Sequence, residues 1–337
     1  MLVRAMSPHQ DLHQPTLAMS ELLTRIARAG RPPLHHLRVA EARTLYAAGA
    51  EVLDLPRAPL ARVEDLTLPG PGGPLRARLY AAEQATPPPA LLFLHGGGFV
   101  VGGLNTHDSL CRQLALRAGC AVLALDYRLA PEHRHPAALR DAQAALRWLI
   151  ASRADLGLDA SVSPAMAGDS AGATLAASAA LHARDEGLPL AMQLLITPGT
   201  AGGAITDSMQ RFARGHLLEA ATVHWFFAQA RPQSPSPRWP DDDPDFAPLN
   251  AVSLAGVAPA CVVLAGCDPL FDEGLAYARR LESAGVPTRL HLAAGVTHNF
   301  IKMGRALPEA AVALDVAAAA LRQAWNLPPN RPRGTTT

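Results

Sequence analysis

The chain has 337 residues, of which 49% are apolar and 18% charged, and its formal net charge is +1. That length suits one large α/β domain carrying an insertion, and the apolar share is enough for a sizeable core. A near-zero charge, with no basic stripe or Lys/Arg-rich tail, gives no reason to expect a nucleic-acid partner.

The opening residues, MLVRAMSPHQDLHQP, lack a continuous apolar run, so a signal peptide is not expected. No stretch is long and apolar enough for a membrane span, and the cytoplasm is the expected compartment. Residues 16–29 and 34–49 carry helical periodicity on either side of the Pro32-Pro33 break. Two short β runs follow, at 63–68 and 75–80, with the turn Pro69–Gly73 between them, which predicts a hairpin.

From there the rhythm is strand, helix, strand, helix. Apolar runs at Ala90–Leu94, Ala121–Leu125, Val162–Ala167, Met192–Ile196, Cys261–Ala265 and Arg289–Leu292 alternate with helical stretches at 107–118, 136–154, 171–184, 271–284 and 307–325. This predicts an α/β fold, a mostly parallel sheet with helices on both faces, whose ligands bind beyond the carboxyl ends of the strands. The stretch between Ile196 and Cys261 is too long for a simple crossover. It holds a helical piece at 217–230 and the Pro/Asp-rich loop RPQSPSPRWPDDDPDF. The chain therefore divides into N-terminal helices contributing to a cap (1–50), a core (51–200), a cap insertion (201–235), a second core segment (236–325) and a disordered tail (326–337). The four cysteines form no metal-binding spacing and read as buried thiols, with a Cys261–Cys267 disulfide as the alternative.

Gly168-Asp169-Ser170-Ala171-Gly172 is a G-x-S-x-G between a strand and a helical run, the context of a nucleophile elbow. Flanking glycines relieve the tight turn, and the following helix N-terminus favours a developing oxyanion. His95-Gly96-Gly97-Gly98-Phe99 follows the strand at 90–94, and successive glycines let backbone N–H groups approach a ligand closely. Gly96, Gly97 or both, with Ala171, are the expected oxyanion donors, and His95 is expected to brace the loop.

A nucleophilic serine needs a base, and the base a carboxylate, in the chain order Ser, Asp/Glu, His. Of the downstream histidines, His182 lies within the helix after Ser170, His216 and His224 fall in the cap, and His291 lies inside the last strand. His298 follows that strand and is the expected base. Asp268 directly follows the strand at 261–265 and is the expected acid. Asp272 and Glu273 are rivals, placed where a helix start favours acidic residues. Leu217, Leu218, Trp225, Phe226 and Phe227 either line a substrate pocket or pack the cap helix on the core, and Phe99 is a further pocket candidate. His133 and His135 have no third ligand at helical spacing, so no metal is expected.

Taken together, HGGGF (95–99) with the downstream GGLNTHD, YRLAPEH (127–133), GDSAG (168–172), DPLFDEG (268–274) and HNF (298–300) resemble the hormone-sensitive lipase family, the bacterial family IV esterases. The likeness covers roughly residues 35–320. It implies the α/β-hydrolase fold, with an eight-stranded core under a helical cap. It also implies cofactor-free hydrolysis of short- to medium-chain acyl esters through Ser170, Asp268 and His298, and a possible homodimer. YRLAPEH is then a structural brace rather than a source of catalytic groups. The chain departs from the family pattern at Ala173-Thr174, where Gly-Asn is usual, at Thr197-Pro198, where Tyr-Pro is common, and at Asn299, where glycine is frequent. These departures bear on the substrate pocket rather than the chemistry. An amidase or arylformamidase built on the same triad, and a non-catalytic small-ligand receptor, are the rival readings.

Overall fold

The computed structural model describes residues 11–232 and 243–328. Most of the Pro/Asp-rich loop and all of the expected tail after Pro328 lie outside the described residues.

A single eight-stranded sheet forms the centre: β1 (Arg62–Leu68), β2 (Leu75–Ala81), β3 (Ala90–Leu94), β4 (Ala121–Asp126), β5 (Ala165–Asp169), β6 (Gln193–Ile196), β7 (Ala260–Cys267) and β8 (Thr288–Thr297). Their spatial order is β1-β2-β4-β3-β5-β6-β7-β8. The predicted hairpin forms, and β2 then pairs antiparallel with β4, while every pair from β4 through β8 is parallel. The apolar runs of β3 and β7 are buried along their whole length because both faces of the sheet are covered.

The two faces divide the strand residues by alternation. Leu92, Leu94, Met166, Leu195 and Val262 meet one layer, formed by α4 (Ala137–Ser152), α5 (Ala171–Asp185) and α8 (Phe271–Ser283). Leu91, Phe93, Ala167, Ile196 and Val263 meet the other, formed by α1 (Leu17–Arg28), α3 (Asp108–Ala118) and α9 (Pro308–Ala324). All four cysteines are buried free thiols.

Three boundaries differ from the sequence reading. The stretch at 34–49 is a short 3-10 turn (Leu34–His36) followed by α2 (Val39–Gly49). The strand before Ser170 begins three residues later than expected, at Ala165. The last strand runs on to Thr297, past the apolar stretch ending at Leu292, because pairing with β7 continues across an irregularity between Ala265 and Cys267. In the insertion, α6 (Asp207–Arg211) was not anticipated, and α7 (Ala220–Ala230) begins after Leu217, whose φ of 69° is left-handed and outside helical space. The N-terminal segment meets this insertion, with His35 Nδ1 lying 2.8 Å from Thr222 Oγ1 of α7.

Candidate active site

Four parallel strands end at one rim, and each hands over there to a residue singled out from the sequence. Ser170 follows β5, the glycine run follows β3, Asp268 follows β7, and His298 follows β8. Ser170 has φ 52° and ψ −123°, a strained conformation for a residue with a side chain. Its amide donates to Ile196 O at 2.8 Å, which fixes the turn to the neighbouring strand. The turn is possible because its flanks are glycines. A Cβ on Gly168 would come within 2.3 Å of Gly172, and one on Gly172 within 2.0 Å of Leu94 O.

The three side chains form a line. His298 Nε2 lies 2.9 Å from Ser170 Oγ, and His298 Nδ1 lies 2.7 Å from Asp268 Oδ2. Asp268 and His298 are buried, while Ser170 is only partly so and opens into a cavity. The other oxygen of Asp268 accepts the Leu270 amide at 2.9 Å, which holds the carboxylate in place. The rivals are occupied elsewhere. Asp272 accepts the Ser208 amide, and Glu273 accepts the Thr200 amide, both at 2.7 Å.

The glycine loop corrects one expectation. The Gly96 amide is not available to a ligand, because it donates to Asp169 Oδ1 at 2.9 Å. Among the described residues, nothing takes up the amides of Gly97 or Gly98, nor that of Ala171 in the first turn of α5. Gly97, with φ 124°, could carry no side chain, since a Cβ there would sit 2.1 Å from Val101 O. His95 donates from Nδ1 to Gly96 O, stacks on Tyr127 at 4.2 Å, and its carbonyl accepts the Tyr127 hydroxyl at 2.6 Å. The YRLAPEH segment is thus a brace in contact with the loop. Glu132 pairs with Arg43 of α2, which also donates to Val100 O and Ala130 O.

Behind the loop lies a buried charged cluster that the sequence reading did not assign. Asp169 Oδ2 lies 3.2 Å from His107 Nε2, and Lys302 Nζ lies 3.4 Å from the same nitrogen. Burial alone would raise the Asp169 carboxyl, but His107, Lys302 and the Gly96 amide outweigh it and hold it down at about 2. Burial pushes His95 down to about 3, so it stays neutral. His107 stands in the GGLNTHD run and Lys302 follows HNF, so both lie beside quoted motifs, yet no spacing signals that they converge.

The cavity above Ser170 has a volume of about 490 Å³. Leu217, Leu218 and Phe226 of the insertion line it, as do Leu23 and Tyr46 of the N-terminal helices. Phe226 rests directly on Gly98, whose Cβ would meet its ring. Phe99 is a correction: with φ 65° it turns away from the cavity and packs against Phe227 and Phe246. Trp225 and Phe227 likewise do not line it. His135 approaches Asp243 at 3.6 Å, and among the described residues no three His, Cys, Asp or Glu side chains gather as metal ligands. No helix among them is long and apolar enough to cross a membrane.

A strained serine at a strand–helix turn, on the rim of this sheet and under a cap, is the architecture of an α/β hydrolase. A family profile described as alpha/beta hydrolase fold matches residues 91–302. The ethyl acetate hydrolase of Pseudomonas putida is 41% identical over 310 residues, covering 89% of this chain and 96% of that protein. Esterase LipI of Mycobacterium tuberculosis is 40% identical, covering 80% and 85%. Among solved structures, an alpha/beta hydrolase enzyme from the metagenome of Lake Arreo superposes with a TM-score of 0.88 at 36% identity, covering 93% of this chain and 99% of that one. A hyperthermophilic esterase from Pyrobaculum calidifontis gives 0.84 at 35%, covering 92% and 98%. The chain belongs to the α/β-hydrolase family, in the hormone-sensitive lipase-like branch that its motifs resemble.

Proposed function

We propose that this esterase works as a serine hydrolase on short- to medium-chain acyl esters, with Ser170 as nucleophile, His298 as general base and acid, and Asp268 as its orienting carboxylate. The observation that carries the reading is the unbroken line from Ser170 Oγ through His298 to Asp268. As Ser170 attacks the ester carbonyl, His298 Nε2 takes its proton, and the Asp268 carboxylate, still ionised, stabilises the imidazolium. The tetrahedral oxyanion is received by the amides of Gly97, Gly98 and Ala171, a donor set that replaces Gly96 with Gly98. Each well-placed donor of this kind is worth about 10²–10³ in rate. His298 then protonates the leaving alcohol, and water repeats the sequence on the acyl-enzyme to release the acid.

A largely apolar cavity of this size, walled in part by Leu217 and Phe226, supports small esters as substrates, and the two relatives named as an ethyl acetate hydrolase and an esterase support the ester bond as the target. The triad needs no cofactor. The test is turnover of a panel of nitrophenyl esters of increasing acyl length beside matched anilides, with Ser170→Ala as control. The expected result is ester cleavage greatest for the shorter chains and lost in the variant. Faster anilide than ester cleavage would make the protein an amidase, and near-wild-type turnover by Ser170→Ala would remove the serine from the chemistry.

A further inference from the structure

Lys302 is the one lysine of the chain, and it is buried at 5% exposure, yet it contributes to the wall of the cavity that holds Ser170 and His298. An ammonium group has three N–H donors and no acceptor. The fold uses little of that capacity. No carboxylate pairs directly with Lys302 among the described residues; the Tyr46 ring lies 5.7 Å beneath it with its phenol interacting with the ammonium, and His107 Nε2 lies 3.4 Å away. That nitrogen is shared with the ionised Asp169, which lies nearer at 3.2 Å. The ammonium presents its remaining donor capacity to a cavity walled largely by apolar side chains such as Leu23 and Phe226, with Arg31, Glu219, Thr222 and Asn299 among its other polar groups.

The charges around it decide what kind of group it takes. Burial works against the charged form of Lys302, but Tyr46, followed by Asp169, Asp54 and Glu51, outweighs it and raises the ammonium above its ordinary value. Its charge is already offset in part by the ionised Asp169, so an added carboxylate gains less from it than a lone ammonium would give. A neutral acceptor oxygen needs no such compensation and takes up donor capacity that one long contact to His107 and the Tyr46 phenol leave over.

We propose that Lys302 is a specificity-determining residue of the cavity, donating a hydrogen bond to a neutral ether, keto or hydroxyl oxygen on one arm of the ester. The inference rests on the serine-esterase reading and deepens it. It makes oxygen-bearing short-chain esters, rather than plain alkyl esters, the preferred substrate class.

The experiment compares kcat/KM for pairs that differ only by oxygen in place of a methylene: nitrophenyl methoxyacetate with butanoate, nitrophenyl methoxybutanoate with hexanoate, and methoxyethyl acetate with butyl acetate. Each ratio is divided by the ratio for hydroxide-catalysed hydrolysis, which removes intrinsic reactivity. The first two pairs probe the acyl arm and the third the alcohol arm. In the wild type at least one pair favours oxygen by about tenfold, the factor that corresponds to about 1.4 kcal/mol. In Lys302→Met that ratio falls below one, because an ether oxygen in an apolar pocket pays desolvation without a partner. Lys302→Gln, a neutral donor, recovers part of it. A merely structural role for Lys302 would slow both members of a pair alike and leave the ratio unmoved. Wild-type ratios no higher than hydroxide in all three pairs, or an oxygen preference that survives in Lys302→Met, overturns the proposal. If Lys302→Met does not fold, the wild-type ratios and Lys302→Gln decide. Absence of turnover of every ester by the wild type is a failure of the esterase reading itself, and this proposal falls with it.

Discussion

Replacing Asp169 by Ala tests whether the glycine loop is held from behind. The carboxylate is fully buried, accepts the Gly96 amide at 2.9 Å, and faces His107 at 3.2 Å with Lys302 beyond. Alanine strands a buried amide, which costs about 1–3 kcal/mol, and leaves the lysine with one fewer compensating carboxylate. Removing one member of a buried charged set costs about 3–5 kcal/mol, so the expected loss of stability is of that order. The same tether fixes the Gly96 backbone, whose next two amides are proposed to receive the oxyanion. A misplaced donor costs about 10²–10³ in kcat, and an indirect loss through the loop belongs at the lower end, about 10². Asp169→Asn keeps an acceptor for Gly96 and loses the charge, so it should recover kcat more fully than stability. Asp169 is depressed to about 2 in the folded state, so its stabilisation is complete above the ordinary carboxylate pKa and is lost as the pH falls through about 2. That acid limb should be absent from Asp169→Asn. Urea denaturation and nitrophenyl butyrate turnover measure both effects. An Asp169→Ala enzyme within about 0.5 kcal/mol of wild type, the range of an ordinary surface change, and with unaltered kcat would refute the tether.

Gly97→Ala places a Cβ 2.1 Å from Val101 O at a φ of 124°. Strain of about 1–3 kcal/mol and a fall in kcat of about 10² are expected, read by thermal melting and steady-state kinetics. Glu273 is buried and pushed up to about 8, so the folded state keeps a proton that the unfolded chain releases, and stability falls as pH rises from the ordinary carboxylate range toward 8. Glu273→Gln keeps the acceptor for the Thr200 amide without a titrating group. Its urea midpoint should match wild type near pH 5 and exceed it near pH 9, by at least about 1 kcal/mol given about 1.4 kcal/mol per pKa unit.

What could be read from the sequence was whatever follows a strand. Ser170, Asp268 and His298 each lie directly after a parallel strand, and alternation of apolar runs with helical periods is enough to place them on one rim. Side-chain events across that rim were not readable. Three consecutive glycines look equivalent, and only the Asp169 carboxylate, reaching from the neighbouring strand, decides that Gly96 is occupied and Gly98 free. Phe99 follows the glycines directly, but its left-handed backbone turns the ring into the Phe227–Phe246 cluster. Lys302, His107 and Asp169 come from three separate segments, and no periodicity reports that buried charges will meet. The last strand was read short because Ala293-Ala294-Gly295 lacks β-branched residues, whereas the ladder with β7 carries it to Thr297.

The central claim is that Ser170 is the nucleophile, activated only in the folded site. Intact-mass and peptide analysis after exposure to a fluorophosphonate tests it most directly. The account predicts one adduct per chain, on Ser170, with loss of ester turnover in step with labelling, and none on the urea-unfolded protein. Full esterase activity in an enzyme whose Ser170 stays unmodified, or stoichiometric labelling at another serine, would contradict it.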